Sequence, residues 1–370
     1  MDSTAAIVVS NSDSQRPATT TPKPRRVADS PFDSIAVADG ILRSSENVDF
    51  YVMKAFLAYS SRFFSTMFTL PQSNNPDEKG TQDGIVVVER SERSRPLRYM
   101  LLLCYPGPSP TIDNIYDIMA VVHMVEKHEM DPVEKRAREV VVHSSAMKDV
   151  PLQIFAFAFH HGWKDIGVIA ARNFLTQPPR FAFFKELEYL GGTAFYHLNE
   201  FRYECSKAVL EWILEDFDSN TDSTAPDPVW RVSYNHSDIC KAGTSFSFFC
   251  SDGMPRNKRT QGRRTAWWSE YFGKLSSRLC LSPTGITILN EQELFKEALA
   301  AAGHCKQCAP VAYKQLAVYR EDLASKIDKI VAKVRYWVDN SCPHLSDHRQ
   351  RQVPLNIQFV CRGPFEYPGE

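Results

Sequence analysis

The stretch from Asp49 to Phe68 limits the possible folds more than any other part of the chain. Phe56, Tyr59, Phe63 and Met67 recur at helical spacing, and Leu57, Phe64 and Phe68 make a second row beside them. An apolar face that wide exceeds what a peripheral helix buries, so the segment is expected at the centre of a domain. Ser60-Ser61 offers an N-cap ahead of Arg62 and divides the stretch into two short helices. Upstream, Ile41-Leu42 on one side and Phe50 with Val52 on the other flank the turn-like Ser44-Ser45-Glu46-Asn47. That pattern predicts a strand hairpin leading into the helices.

Ala38-Asp39-Gly40-Ile41-Leu42, Phe50-Tyr51-Val52-Met53-Lys54, Leu57-Ala58, Ser61, Phe64 and Met67-Phe68 together resemble the opening of a BTB/POZ domain. The resemblance implies an α+β fold, a small sheet with surrounding helices, that mediates protein–protein interaction and has neither catalytic activity nor a cofactor. It implies self-association as a homodimer and, in part of the family, recruitment to a cullin-type ubiquitin ligase as a substrate adaptor. On the matching positions, Asp39, Phe50, Lys54, Leu57, Phe64, Met67 and Phe68 are the candidate interaction residues. Two positions depart from the family pattern. Met53 stands where a His usually precedes the Lys, which takes one member from the polar pocket carried by Asp39 and Lys54. Leu70-Pro71-Gln72 stands where cullin adaptors commonly carry a hydrophobic-x-Glu element. The layout as a whole looks like a BTB protein of the large fungal type, with a long helical C-terminal region.

The 370 residues are enough for two or three domains with full cores. A formal net charge of -1 excludes a global electrostatic footprint for nucleic acid and leaves only local patches to consider. No apolar run reaches the ~18 residues of a membrane span, and the N-terminus lacks a signal-peptide core. An intracellular protein, cytoplasmic or nuclear, is expected. Nine cysteines, an odd number set mostly in apolar or helical contexts such as Leu103-Cys104-Tyr105, predict reduced and buried thiols.

Residues 1–31 are rich in Ser, Thr, Ala and Pro and are expected to be a disordered tail. Within it, Lys23-Pro24-Arg25-Arg26 fits an import signal, although such runs more often only solubilise. The BTB-like domain is expected over 33–135. Ile85-Val86-Val87-Val88 predicts a fully apolar strand, and Leu97, Met100, Leu101 and Cys104 one face of a helix stopped by Pro106-Gly107-Pro108. Thr111 is read as the cap of a helix striped by Ile115, Ile118, Met119, Val122 and Val125. Asp131-Pro132-Val133-Glu134 is a strong helix start. A helical extension covers 136–217, with Gly162 as a C-cap between antiparallel helices and Phe195, Leu198, Phe201, Cys205, Val209, Trp212 and Ile213 on one face of a long helix. Residues 218–228 read as a linker and 229–370 as a mainly helical region. In that last region Leu316, Tyr319, Leu323, Ile327, Ile330, Val334 and Trp337 form a stripe over roughly 24 residues.

Three groups of residues are candidates to carry chemistry. His304-Cys305-Lys306-Gln307-Cys308 contains a Cys-x2-Cys knuckle, and Cys342 with His344 would complete four zinc ligands, with His348 close behind. Thiols capping a helix-to-helix junction are the commoner use of such a knuckle. His160-His161 is expected to complement a helix C-terminus. Arg256, Lys258, Arg259, Arg263 and Arg264 precede Trp267-Trp268, the residue types that bind single-stranded nucleic acid, although a solvated loop is the commoner outcome. Glycine-loop, H-E-x-x-H and G-x-S-x-G signatures are absent, so no enzyme is expected.

Overall fold

A computed structural model describes residues 24–70, 81–82, 85–219, 228–232, 235–241 and 264–334. The hairpin forms where expected: β2 (Gly40–Arg43) pairs antiparallel with β3 (Val48–Val52). In the turn Asn47 adopts φ 58°, and the Ser44 hydroxyl accepts from the backbone N–H of Glu46 and Val48. β1 (Arg26–Val27) joins β3 in parallel, β5 (Ile85–Glu89) joins β2 in parallel, and β4 (Thr81–Gln82) closes the edge antiparallel to β5. The five-stranded order is therefore β1-β3-β2-β5-β4. Arg43 and Asp49 face each other across the hairpin as a buried two-pronged ion pair, Nε to Oδ1 at 2.6 Å and Nη2 to Oδ2 at 2.9 Å.

The order beginning at Pro24 differs from a tail running to residue 31. Strand β1 is held by Arg26 N–H to Asn47 O and Ala28 N–H to Asp49 O, and the Arg98 guanidinium donates to the carbonyls of Asp29 and Ser30. Phe32 then enters the core edge-on to Phe50. β5 is half-buried rather than interior.

The chain divides into two units, Met1–Pro110 with Ala120–Ala137, and Thr111–Met119 with Arg138–Glu370. In the first, α1 (Lys54–Ser60) and α2 (Arg62–Thr69) are followed by α3 (Ser94–Cys104), whose Leu97, Met100, Leu101 and Cys104 are buried as the spacing required. α4 (Ile115–Lys127) and α5 (Asp131–His143) come next in sequence. α4 is capped by Asn114, whose Oδ1 accepts from Tyr116 and Asp117 N–H, and not by Thr111. The helix begins too late for Thr111 to reach its first donors.

In the second unit, α6 (Ala146–Asp149), α7 (Pro151–His160) and α8 (Lys164–Phe174) pack as a compact group, with α7 buried on all sides. Gly162, at φ 68°, makes the αL turn between α7 and α8, and Trp163 N–H closes onto Ala158 O. α9 (Gly192–Ser219) buries Leu198, Phe201, Cys205, Val209 and Ile213. α10 (Asp238–Lys241), α11 (Ala266–Leu281), α12 (Gly285–Asn290), α13 (Gln292–Gly303) and α14 (Ala312–Lys333) complete the described chain. Trp267, Trp268, Tyr271 and Phe272 are buried on α11, with Trp230 stacked on Trp268 at 4.2 Å. α14 buries Leu316, Leu323 and Ile327 as expected, with Val331 in place of Ile330 as the last interior residue. Trp337 and residues 220–227 of the expected linker lie outside the described residues.

α12 and α14 cross so closely at Gly285 that a Cβ there would lie 2.5 Å from Ala324 O and 2.6 Å from Asp328 Oδ2. Gly285→Ala is expected to destabilise the second unit by about 2 kcal/mol, because backbone cannot move aside as a side chain can. Gly192→Ala, with nothing within 4 Å of its Cβ, is expected to change stability by less than about 0.5 kcal/mol. Urea denaturation of both variants checks the pair.

Candidate functional site

Ser61 sets the geometry of the helix pair. Its backbone is extended (φ -149°, ψ 127°), its hydroxyl accepts from Phe64 N–H at 3.1 Å, and the same hydroxyl donates to His128 O. The helical phase therefore restarts at Arg62. Leu57 on α1 and Phe64 on α2 point inward and are fully buried. Phe56, Tyr59, Phe63 and Met67, expected to face the core, are half-buried or exposed: Tyr59 is 83% exposed and Phe63 40%. A periodicity counted across the break joined two faces that the extended residue rotates apart. The helix pair thus buries one apolar row and presents another to solvent, continued by Leu70 at 57% exposure.

The seven candidate interaction residues separate accordingly. Phe50, Leu57 and Phe64 are interior and pack in the core. Asp39 is exposed, and its Oδ1 accepts the Lys54 N–H at 2.6 Å, capping α1 where the N-cap residue Met53 supplies no side-chain oxygen. Met53 N–H is taken instead by the Tyr105 hydroxyl at 2.7 Å. The Lys54 side chain lies over Gly40, where a Cβ would sit 3.2 Å from its Cγ and Cε, and its ammonium stands 5.6 Å from the Phe68 ring. Met67 and Phe68 are half-buried at the margin of the exposed row.

Behind Phe63 sits a charged cluster that the sequence did not announce. The Arg90 guanidinium donates to His128 Nε2, Lys127 Nζ is 2.8 Å from Glu92 Oε1, and the His128 ring lies 5.0 Å from Phe63 and 5.3 Å from Phe64. Burial first, then the Arg90 charge, pushes His128 down to about 4. Burial raises the Glu92 carboxyl, but the Lys127 hydrogen bond and the Arg90 charge outweigh it and leave the group below its usual range.

The other sequence candidates fall in the second unit or outside the described residues. Arg256, Lys258, Arg259 and Arg263 lie outside them, as do Cys342, His344 and His348. Arg264 is described, and it is 7% exposed with its backbone bridged to Arg231, so it offers no charge to a phosphate. That corrects its assignment to a solvated basic loop: Thr265 N–H bonds to Trp230 O, and the chain at this point is already entering the packed start of α11. Cys305 and Cys308 are buried between α13 and α14. Cys104, Cys205 and Cys240 are further buried free thiols, while Cys280 takes part in a disulfide, against the expectation of reduced thiols throughout. Burial pushes Cys104 and Cys205 up to about 12. In Cys305 burial acts the same way but is outweighed by backbone N–H groups of Ser237, Cys308 and Gln307, which bring it down to about 6.

Residues 29–145 match the family model of the BTB/POZ domain, so the chain carries a BTB/POZ domain followed by a mostly helical region. Such a domain is generally a protein–protein interaction module and not typically a catalyst. No curated protein matches the chain. Among the described residues no helix is long and apolar enough to cross a membrane.

Because the folded state holds His128 neutral while an unfolded histidine protonates near about 6.5, the unfolded chain binds more protons between about 6.5 and 4. The contribution of His128 is therefore complete above about pH 6.5 and lost as pH falls toward 4. Glu92, depressed in the folded state, adds a loss at lower pH. The urea midpoint is expected to fall over this range, and His128→Asn to flatten its upper part. An unchanged slope in the variant would assign the loss to other groups.

Proposed function

We propose that this chain self-associates through the outward apolar row of α1 and α2, and that the resulting homodimer recruits a protein partner. The observation that carries the reading is the exposure of Tyr59, Phe63 and Leu70 as one continuation of the buried helix pair. Fully burying one such side chain contributes about 1.5–3 kcal/mol, and aromatic anchors of this kind dominate interface energetics. Caps at both helix starts support a rigid face: Asp39 and Tyr105 fix the start of α1, and Ser61 fixes the start of α2. Little ordering entropy is then lost on docking. A second copy of the same domain supplies the complementary apolar surface in an isologous pair.

Sedimentation of the full chain is expected to show a dimer at tens of micromolar. Tyr59→Asp with Phe63→Asp is expected to shift it to monomer with the helical circular-dichroism signal retained. A wild-type chain that remains monomeric would overturn the reading. A cullin-type ligase subunit is the partner class that the family resemblance brings in, and its failure to be captured at micromolar concentration by the dimeric protein removes that role while leaving self-association intact.

A further inference from the structure

We infer that His236, Cys240, Cys305 and Cys308 form a structural zinc site in the second unit. All four are buried. The ligand atoms of His236, Cys240 and Cys308 lie within 4.8 Å of one another, and the sulfurs of Cys240 and Cys308 are 3.6 Å apart. Around a tetrahedral zinc with sulfurs at about 2.3 Å, neighbouring sulfurs stand about 3.8 Å apart. A disulfide would bring them to about 2 Å. The observed separation fits the edge of the tetrahedron. The Cys305 side chain adjoins both Cys240 and Cys308 but its sulfur stands outside the group of three, so it is assigned the fourth corner from the Cys-x2-Cys spacing, drawn in when the ion binds.

The surroundings suit bound thiolates. Backbone N–H groups of Ser237, Gln307 and Cys308 reach the Cys305 sulfur, and the Trp267 indole N–H donates to Cys308 Sγ at 3.3 Å. Donors aimed at sulfur favour the anion, and buried anions call for a cation among them. His236 Nε2 lies 3.0 Å from Val229 O. A carbonyl only accepts, so Nε2 carries the proton and Nδ1 is the unprotonated nitrogen, the form of imidazole that ligates a metal. The N–H of Val229 donates in turn to Gln315 Oε1 on α14 at 2.7 Å, which holds the imidazole's acceptor in place.

The ligands arrive as two local pairs, His236-x3-Cys240 at the start of α10 and Cys305-x2-Cys308 between α13 and α14. Three thiolates and one imidazole in a tetrahedron select zinc, and four protein ligands leave no open position for catalysis. This ligand set differs from the pairing of the knuckle with Cys342 and His344, which lie outside the described residues.

The test uses the full-length chain, freed of any histidine tag and kept in reductant. Elemental analysis is expected to find zinc bound in proportion to protein, and cobalt substitution to give the visible absorption of a tetrahedral ion with thiolate charge-transfer bands. Cys240→Ser is expected to abolish that spectrum, whereas Cys342→Ser and His344→Ala retain it. His236→Cys guards against simple misfolding, because it should keep a tetrahedral spectrum and gain thiolate intensity. Wild-type protein that takes up neither zinc nor cobalt at micromolar concentration, or a spectrum lost with Cys342 and retained without Cys240, would overturn the assignment.

Discussion

Helix C-termini leave carbonyl groups without intrahelical partners, and a chain built largely of short helices must satisfy many of them away from water. Arginine does this work at three places. Arg136 donates to the carbonyls of Leu103 in the last turn of α3 and of Tyr105 and Gly107 just beyond it. Arg202 collects Phe174 at the end of α8 and Gln177 beyond it, together with Leu281 at the end of α11, and its guanidinium lies 4.1 Å from the Phe174 ring centroid. Arg320 takes Ile288 and Leu289 of α12 while covering the Phe295 ring at 4.4 Å. A planar fork with five donors and an apolar face is the one side chain that meets both demands. The cost of burial shows in Arg202, which desolvation pushes down to about 10.

Local signals in the sequence were legible because they depend on neighbours along the chain. The buried face of α3, the Gly162 turn and the Asp131-Pro132 start of α5 each follow from residues within about one or two turns. The outward set of α1 and α2 was assigned to the core because Ser61 interrupts the helix and resets its phase, and no spacing rule survives a break. Arg43 with Asp49 was hidden differently: their pairing depends on register across the hairpin. For the proposed metal-ligating group, the Cys305-Cys308 knuckle was visible but its companions were not, since His236 and Cys240 lie far upstream and are brought beside Cys308 by the tertiary fold. A His-x3-Cys pair beside a short helix was the available signal.

The BTB/POZ portion and the region after it are stabilised by different means. In the first unit a small mixed sheet and a helix pair share a core of Phe32, Phe50, Leu57 and Phe64, with side-chain caps at the starts of α1 and α2 and a buried ion pair, Arg43 with Asp49, across the hairpin. In the second, stacked tryptophans and buried arginines tie helices together. An interaction module asks for an unyielding frame under a changeable surface, and caps with aromatic packing provide that frame without enlarging the core.

The close crossing at Gly285 also constrains how the chain can vary in length. The atoms next to this glycine include the α14 backbone at Ala324, and Asp328 one turn later accepts the Gly285 N–H at 2.8 Å. A residue inserted or deleted within α14 ahead of Ala324 would rotate the remainder of the helix by about 100° and carry both contacts off the glycine. Insertions should therefore be tolerated in the connections around α12 and α13 and rejected in the first half of α14.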